Sequence, residues 1–130
     1  MQSDPVADLL TRIRNASAVK HRTVSIPYSK LKAEILKILL KQQYIKAVKT
    51  TGKAPKKTLD VTLRYPQAQP AITTLKRISK PGVRIYVPVK DLYRLIRGRD
   101  TIILSTSQGI MTAKTAKKKN LGGEIICQIN

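Results

Sequence analysis

The stretch PQAQP at residues 66–70 constrains the fold of this chain more than any other feature of its sequence. Each proline removes a backbone N–H and disfavours helix at the residue before it, so neither a helix nor a central strand runs through this stretch. The 130 residues are enough for one ordinary domain or for two small ones. We therefore predict an α+β protein with two small domains, residues 1–65 and residues 66–130.

The first half has the pattern of an αβαββ unit. A proline at the first helical position and apolar residues at helical spacing predict a helix over residues 5–17. An alternating run predicts a strand at residues 23–27, and Ser29 is placed to cap a second helix over residues 30–43. Two more alternating runs around a lysine-rich turn at residues 51–57 predict a hairpin.

The second half is rich in strand patterns, with short helices between them. Pro81-Gly82 predicts a turn between a strand at residues 71–79 and the run VRIYVP. The remaining predicted elements, in chain order, are a short helix at residues 90–97, a buried strand TIILST, a loop, a short helix in TAKTAKKKN and a closing strand GGEIICQI.

The charge balance points to a polyanionic partner. Lysine and arginine number 26 against seven acids, for a formal net charge of +19, and the two halves carry +10 and +9 of it. Solubility needs far less charge than this, so the balance favours a nucleic-acid partner. An anionic membrane surface is the alternative, but no lipidation signal is visible, and the long apolar helix pattern is typical of a core helix.

The core must be aliphatic, because hydrophobic residues make up 42% of the chain without any phenylalanine or tryptophan. Cys127 is the only cysteine, and its place in the run EIICQI predicts a small buried side chain. A single cysteine permits no disulfide within the chain, which suits a reducing compartment. The N-terminus has no secretory or transit pattern, so we expect the protein to work where it is made.

The sequence lacks the residue sets of an enzyme or a metal protein. His21 is the only histidine, and no acid is near to orient it as the general base that a serine hydrolase using Ser105 or Ser107 would need. One cysteine and one histidine are too few soft ligands for a zinc site. The stretch STSQG lacks the glycines and the lysine of a phosphate-binding P-loop. We therefore predict a non-enzymatic chain with no cofactor, no metal, no membrane partner and no small-molecule substrate.

The stretch LSTSQGIMT at residues 104–112 has side chains suited to contacting RNA. The short hydroxyls of Ser105, Thr106 and Ser107 can donate to and accept from bases, 2′-hydroxyls and phosphates. Gly109 lacks a Cβ and would let the backbone approach RNA closely, while Lys114 would hold a phosphate. An ordinary Ser/Thr-rich turn accounts for the same residues, so both interpretations stand at this point.

Five motifs resemble those of one known family. The motifs DPVADLLTRIRNA, PYSKLK, ISKPGVRIY, LSTSQGIMT and LGGEIIC occur in order along essentially the whole chain, and they are similar to the bacterial ribosomal small-subunit protein eight family. The resemblance implies two tightly associated α+β domains, an αβαββ N-terminal domain and a β-rich C-terminal domain. It also implies a protein without catalytic activity that binds the central domain of small-subunit ribosomal RNA early in subunit assembly.

The resemblance further implies which residues contact RNA, with the principal contact in the C-terminal half and a second RNA segment at the N-terminal half. Tyr86 could stack on a base or ribose, although a half-buried strand tyrosine is an equal explanation. The acid Glu124 can accept from a guanine amino group or orient a neighbouring donor. The candidates are Ser105, Thr106, Ser107, Gly109, Tyr86, Glu124, Lys114, Arg77 and Arg84 in the C-terminal half, and Arg12, Arg14, Asn15, Ser29, Lys30 and Lys32 in the N-terminal half.

The expected partners are central-domain rRNA and neighbouring small-subunit ribosomal proteins. The expected location is the cytoplasmic ribosome, or a plastid or mitochondrial ribosome for an organelle-encoded chain. Some members of the family also repress translation of their own operon by binding a messenger RNA that mimics the ribosomal site. A stand-alone RNA-binding translational regulator is therefore the alternative function, and it would not sediment with ribosomal subunits.

Overall fold

The computed structural model describes residues 4–130, and within that range the chain forms four α-helices and eight strands. This mixture of helices with antiparallel sheets confirms the predicted α+β class. The helices are α1 (Pro5–Ala18), α2 (Lys30–Lys41), α3 (Leu92–Ile96) and α4 (Ala113–Lys118). The strands are β1 (Thr23–Pro27), β2 (Ile45–Thr51), β3 (Thr58–Leu63), β4 (Leu75–Arg77), β5 (Tyr86–Val87), β6 (Thr101–Thr106), β7 (Gly109–Thr112) and β8 (Gly123–Ile129).

The described chain divides into two compact units, which are Pro5–Thr73 and Asp4 together with Thr74–Asn130. The first unit has the predicted order αβαββ, and the proline-bracketed stretch lies at its C-terminal end. Two domains with a boundary between residues 65 and 66 stay a prediction; the compact units divide between Thr73 and Thr74.

The first unit combines α1 and α2 with a three-stranded antiparallel sheet in the order β1-β3-β2. The helical spacing predicted for α1 is what buries Leu9, Leu10 and Ile13 completely or nearly so. Ser29 caps α2 as expected, because its side-chain oxygen accepts a hydrogen bond from the backbone N–H of Lys32 at 3.1 Å. Full burial of one leucine or isoleucine side chain contributes about 1.5–3 kcal/mol, so this apolar stripe accounts for much of the stability of α1.

The second unit is a five-stranded antiparallel sheet in the order β4-β8-β6-β7, with β5 also paired to β8. The helices α3 and α4 contribute Leu92 and Ala116 to its core, where Leu104 of β6 is fully buried. The largest fully buried side chains of the described residues are leucines and isoleucines, which confirms the aliphatic core. Cys127 is fully buried as predicted, and that burial raises the pKa of its thiol to about 12.

Several predicted strands and loops of the second half differ from the structure in extent. The strand predicted at residues 71–79 is limited to β4, and the run VRIYVP forms only the two-residue β5. The segment after β6 is a β-hairpin with β7 as its second strand, where the sequence predicted only a loop. The Pro81-Gly82 turn is confirmed, because Gly82 has a φ of +84° and Lys80 and Val83 form an antiparallel bridge across it.

Candidate RNA-binding surface

Residues 104–112 form a tight hairpin, which we call the serine hairpin. Strands β6 and β7 pair Thr106 with Gly109, and Ser107 and Gln108 make the exposed turn between them. Gly109 has a φ of +110°, a conformation in which a residue with a side chain would be strained. A Cβ built at Gly109 meets no atom within 4 Å, so the open surface at this position is available for close approach by a partner.

The hydroxyl of Thr106 closes the turn of the serine hairpin. Its Oγ1 donates to the carbonyl of Gly109 at 2.8 Å and accepts from the N–H of Gln108 at 3.2 Å. Thr106 therefore serves the shape of the turn, whereas the exposed Ser107 has no hydrogen-bond partner for its hydroxyl among residues 4–130. Of the hydroxyls in this hairpin, that of Ser107 is the one most available to RNA.

Three of the predicted residues form a row across the sheet of the second unit. Tyr86 of β5 is paired with Glu124 of β8, and Glu124 is paired with Ser105 of β6. Directly paired residues of antiparallel strands project to the same face of a sheet, so the phenol, carboxylate and hydroxyl lie side by side. Tyr86 is 70% exposed, which leaves its ring available for stacking. The next residue pair, Leu104 and Ile125, faces the core instead.

Glu124 is neutralised by an arginine of the same unit. A guanidinium nitrogen of Arg84 lies 3.1 Å from a carboxylate oxygen of Glu124, whose side chain is only 13% exposed, while that of Arg84 is 52% exposed. Because the carboxylate is covered and paired, it does not present an uncompensated negative charge to a phosphate backbone. Arg84 holds one carboxylate oxygen of Glu124, so the other oxygen and the remaining guanidinium donors are the groups offered beside Tyr86.

Lys114 lies on α4, which begins directly after the serine hairpin. Thr112 caps this helix, because its side chain accepts from the N–H of Thr115 at 3.3 Å. Lys114, Lys117 and Lys118 are all exposed, so their ammonium groups are accessible to phosphates. The chain thus places exposed cations next in sequence to the hydroxyl-bearing turn.

Arg77 has an internal role in the structure. Its guanidinium donates to both carboxylate oxygens of Asp4 at 3.3 Å and to the carbonyl of Ile126 at 3.0 Å. Only 14% of its side chain is exposed. We therefore leave Arg77 out of the proposed RNA contact, since an arginine held by three acceptors within its own unit has few donors left for RNA.

The predicted residues on α1 are exposed, and Arg12 forms an ion pair within the first unit. Arg12 donates to Asp8 at 3.0 Å and approaches the carbonyl of Ser25 at 3.5 Å. Arg14 and Asn15 are exposed on the same helix. Of the predicted residues at the start of α2, Lys30 is exposed, whereas the hydroxyl of Ser29 is engaged as the helix cap.

Lys32 is buried, with 6% of its surface exposed. Its ammonium nitrogen lies 2.7 Å from a carboxylate oxygen of Asp8 and 3.4 Å from the carbonyl of Pro27. The cation therefore joins α2 to α1 and to the end of β1 within the first unit. We leave Lys32 out of the proposed RNA contact, because bringing its charge to RNA would break this ion pair.

We expect Lys32→Met to lower the free energy of unfolding at neutral pH by about 1–2 kcal/mol, between the values typical of surface and of buried ion pairs. The hydrogen bond from Lys32 is the main cause that lowers the pKa of Asp8, while burial opposes it and Arg12 assists it. A carboxyl with a lowered pKa stabilises the fold above its unfolded pKa, and that stability is lost as pH falls through the folded pKa.

Chemical denaturation at a series of pH values from about 5 downward measures this effect, because the stability contributed by Asp8 begins to fall near the ordinary aspartate pKa and is lost as the pH passes below the lowered one. The wild-type protein should lose stability across it, and Lys32→Met should lose less. The variant should bind RNA as the wild type does once folded. An unchanged acid dependence, or selective loss of RNA binding, would contradict the internal role of Lys32.

Comparison of the chain with known protein families identifies the family to which it belongs. The family model described as Ribosomal protein S8 matches residues 4–130. The chain belongs to the ribosomal protein S8 family. Among its relatives, the small ribosomal subunit protein uS8 of Mycoplasmopsis agalactiae is 48% identical over 127 residues, covering 98% of this chain and 97% of that protein.

Two further relatives carry the same name. The protein of Caldanaerobacter subterraneus subsp. tengcongensis is 48% identical over 130 residues, covering 99% of this chain and 98% of the relative. The protein of Dictyoglomus thermophilum is 47% identical over 127 residues, covering 98% of this chain and 97% of the relative. These matches confirm the resemblance seen in the five motifs. Membership of the S8 family, a family of structural ribosomal proteins, also confirms that the chain is not an enzyme.

Other classes of site are not seen in the part of the chain that the structure describes. Residues 4–130 contain no group of three or more His, Cys, Asp or Glu side chains placed to hold a metal ion. None of the helices in that range has both the length and the apolar character needed to span a bilayer.

Two clusters of cations in this S8-family chain were not predicted. In the second unit, the guanidinium carbons of Arg94 and Arg97 lie 5.7 and 5.9 Å from the ring centre of the exposed Tyr93. Their helical spacing in the sequence was a signal that could have been used. In the first unit, three cations from separate segments line a cleft, and no local sequence pattern connects them.

Proposed function

We propose that this member of the S8 family is a structural constituent of the small ribosomal subunit that binds the central domain of small-subunit rRNA directly and supports assembly. The observation that supports this most is the row of Tyr86, Glu124 and Ser105, with the available hydroxyl of Ser107 at the adjoining turn. The row combines a stacking ring, an acceptor and short hydroxyls, which are the groups that distinguish irregular RNA from a uniform helix.

The remaining candidates divide into residues that position RNA and residues that discriminate between RNAs. Lys114, Arg84, Arg12, Arg14 and Lys30 supply positive charge, which attracts any phosphate backbone. The hydroxyls, the ring of Tyr86, Asn15 and the backbone at Gly109 supply directional contacts, on which preference for one RNA depends. The net charge of +19 accounts for affinity toward RNA in general.

The direct test is binding of the full chain to a transcript of the central domain of small-subunit rRNA, in the presence of excess unrelated duplex RNA. Transcripts of the other rRNA domains serve as controls of similar length and charge. Binding that survives the competitor only for the central domain supports the proposal, and equal binding to all transcripts contradicts it.

Sedimentation of the protein in a cell extract separates the ribosomal role from that of a stand-alone translational regulator. A ribosomal constituent sediments with small subunits beside neighbouring ribosomal proteins, whereas a separate regulator stays in the light fractions. Binding to the protein's own messenger RNA would use the same surface, and competition between that message and the central-domain transcript measures it.

A further inference from the structure

One end of the three-stranded sheet in the first unit contains a cleft of about 440 Å³. Strand β3 ends here, and β1 and β2 both begin here, because the strands are antiparallel in the order β1-β3-β2. The residues just outside or at these strand ends are Arg22, Lys46 and Arg64, and all three line the cleft. The topology of the sheet therefore gathers three cations that lie far apart in the sequence.

The side chain of Lys46 reaches this group through a β-bulge. Ile45 pairs with Leu63 and Ala47 pairs with Thr62, so Lys46 is the extra residue between two consecutive pairs. A bulge changes the direction of the side chain that it carries, and bulges are common where a strand builds a site. Thr62, the common partner of Thr23 and Ala47, also lines the cleft.

The backbone around the cleft is held in place by internal hydrogen bonds. The N–H of Leu63 donates to the carbonyl of Arg22 at 2.9 Å, and the hydroxyl of Tyr65 donates to the carbonyl of His21. Arg64 is anchored through one guanidinium nitrogen, which donates to the carbonyl of Gln43 at 2.8 Å. The remaining guanidinium donors of Arg64 are left for a ligand.

The cleft is positively charged, and no acidic residue in its lining neutralises that charge. None of its lining residues is acidic, and within residues 4–130 the side chains of Arg22 and Lys46 have no ion-pair partner. Three like charges around one concavity repel each other, and an anion placed between them relieves that repulsion. Pro66 and the ring of Tyr65 add an apolar wall beside the cations.

We propose that this cleft binds a phosphate of an RNA strand, with the attached ribose against Pro66 and Tyr65. Arginine guanidinium groups bind phosphate oxygens through paired N–H donors, and the lysine ammonium and Thr62 hydroxyl add further donors. A volume near the low end of ligand sites suits a single nucleotide. The choice of RNA as the ligand of the cleft rests on the proposed function, since a free phosphorylated molecule would offer the cleft the same phosphate group.

The cleft lies at the opposite end of β1 from Ser29 and Lys30, two of the N-terminal residues predicted to contact RNA. Arg22 precedes the first residue of β1, whereas Ser29 and Lys30 follow its last residue. A strand of this length separates its two ends by about 13 Å. The first unit would therefore hold RNA at two places along β1.

The test compares Arg22→Gln/Lys46→Gln with Lys37→Gln/Lys53→Gln, a double variant with the same change of net charge at exposed lysines outside the cleft. Each full-length protein is titrated with the central-domain transcript at several salt concentrations, after thermal unfolding has shown that both are folded. The cleft variant should bind about tenfold more weakly, with a salt dependence about two units shallower at most. The control should change affinity by about twofold or less.

A second arm identifies the source of the phosphate. Backbone amide NMR signals of Arg22, Lys46 and Thr62 are followed during addition of the transcript and, separately, of inorganic phosphate. Shifts with the transcript, together with weaker binding of the cleft variant, support the inference. Saturable shifts with inorganic phosphate, with RNA binding unchanged in the variant, would overturn RNA as the ligand.

Failure of the inference is distinguishable from failure of the proposed function. If the cleft variant binds the central domain as the wild type does, and no shift occurs with either probe, the cleft is not a phosphate site. The preference of the wild type for the central domain over other rRNA domains stands or falls independently of that result.

Discussion

Gly123→Ala is expected to lower the free energy of unfolding by about 2–4 kcal/mol. A Cβ at Gly123 would lie 2.3 Å from the carbonyl oxygen of Ser105 and 3.0 Å from its carbonyl carbon. These are backbone atoms of the adjacent strand β6, so they cannot move aside as a side-chain end can. Relief of the clash requires β6 and β8 to separate at this point.

The same substitution should weaken binding to cognate RNA beyond what the loss of folded protein explains. Gly123 directly precedes Glu124, and the clash falls on Ser105, so two members of the row across the sheet are displaced. Chemical denaturation measures the stability, and RNA titration at a temperature where the variant is folded measures the binding.

Gly98→Ala is the matched control for this effect. A Cβ at Gly98 meets its nearest neighbour, the N–H nitrogen of Asp100, at 3.9 Å, which is ordinary van der Waals contact. We expect a change of about 0.5 kcal/mol or less for this variant. Equal stability of the two variants would show that the strands at Gly123 are not packed as closely as the structure places them.

Thr106→Val should lower the affinity for cognate RNA by about 1–3 kcal/mol and the stability by about 1–2 kcal/mol. Valine has nearly the shape of threonine but cannot donate to Gly109 or accept from Gln108, so the turn loses both of these side-chain hydrogen bonds. The turn would then sample other conformations, and Ser107 would no longer be held in one orientation. Binding to RNA would then cost additional conformational entropy, because the turn would have to become ordered on binding.

Thr106→Ser tests the role of the threonine hydroxyl apart from that of its methyl group, because serine keeps the hydroxyl and lacks the methyl. Serine keeps both hydrogen bonds, so binding and stability should stay within about 0.5 kcal/mol of the wild type. Filter binding and thermal unfolding of the two variants check this. If valine and serine behaved alike, the hydroxyl of Thr106 would not be what shapes the turn.

The elements that were predicted correctly from the sequence are those with a strong local signal. The helical period of α1, the cap at Ser29 and the turn at Pro81-Gly82 each depend on residues close together in the chain. The strand β7 was missed because it has four residues, begins with a glycine and carries no alternating pattern of its own. It exists because β6 offers it a partner.

The candidate surface was harder to predict from local sequence patterns, because it depends on how strands that are distant in the sequence pair with one another. Ser105 and Glu124 face the same side only because β6 and β8 shift register between Ile103 and Leu104. The five motifs named these residues through family resemblance, and no spacing in the sequence places them together. The close approach behind Gly123 is equally invisible in the motif LGGEIIC.

Burial of charged residues was the other feature that the sequence did not reveal. Lys32 stands beside apolar helix positions, and the long aliphatic stem of lysine allows it to be buried when an acid meets its end. Arg77 is similar, since its partners Asp4 and Ile126 are distant in sequence. Some basic residues of a strongly basic protein therefore form ion pairs inside the fold.

The central claim is that the serine hairpin distinguishes cognate RNA while the neighbouring lysines hold phosphate. Competitive filter binding to a short central-domain hairpin, with excess unrelated duplex RNA and several salt concentrations, tests it most directly with Ser107→Ala and Lys118→Ala. Ser107→Ala should lose about 1–3 kcal/mol of cognate binding and almost none of the nonspecific binding. Lys118→Ala should weaken both about equally, with a salt dependence about one unit shallower at most. Equal effects of the two substitutions on both RNAs would contradict the claim and leave only charge as the basis of binding.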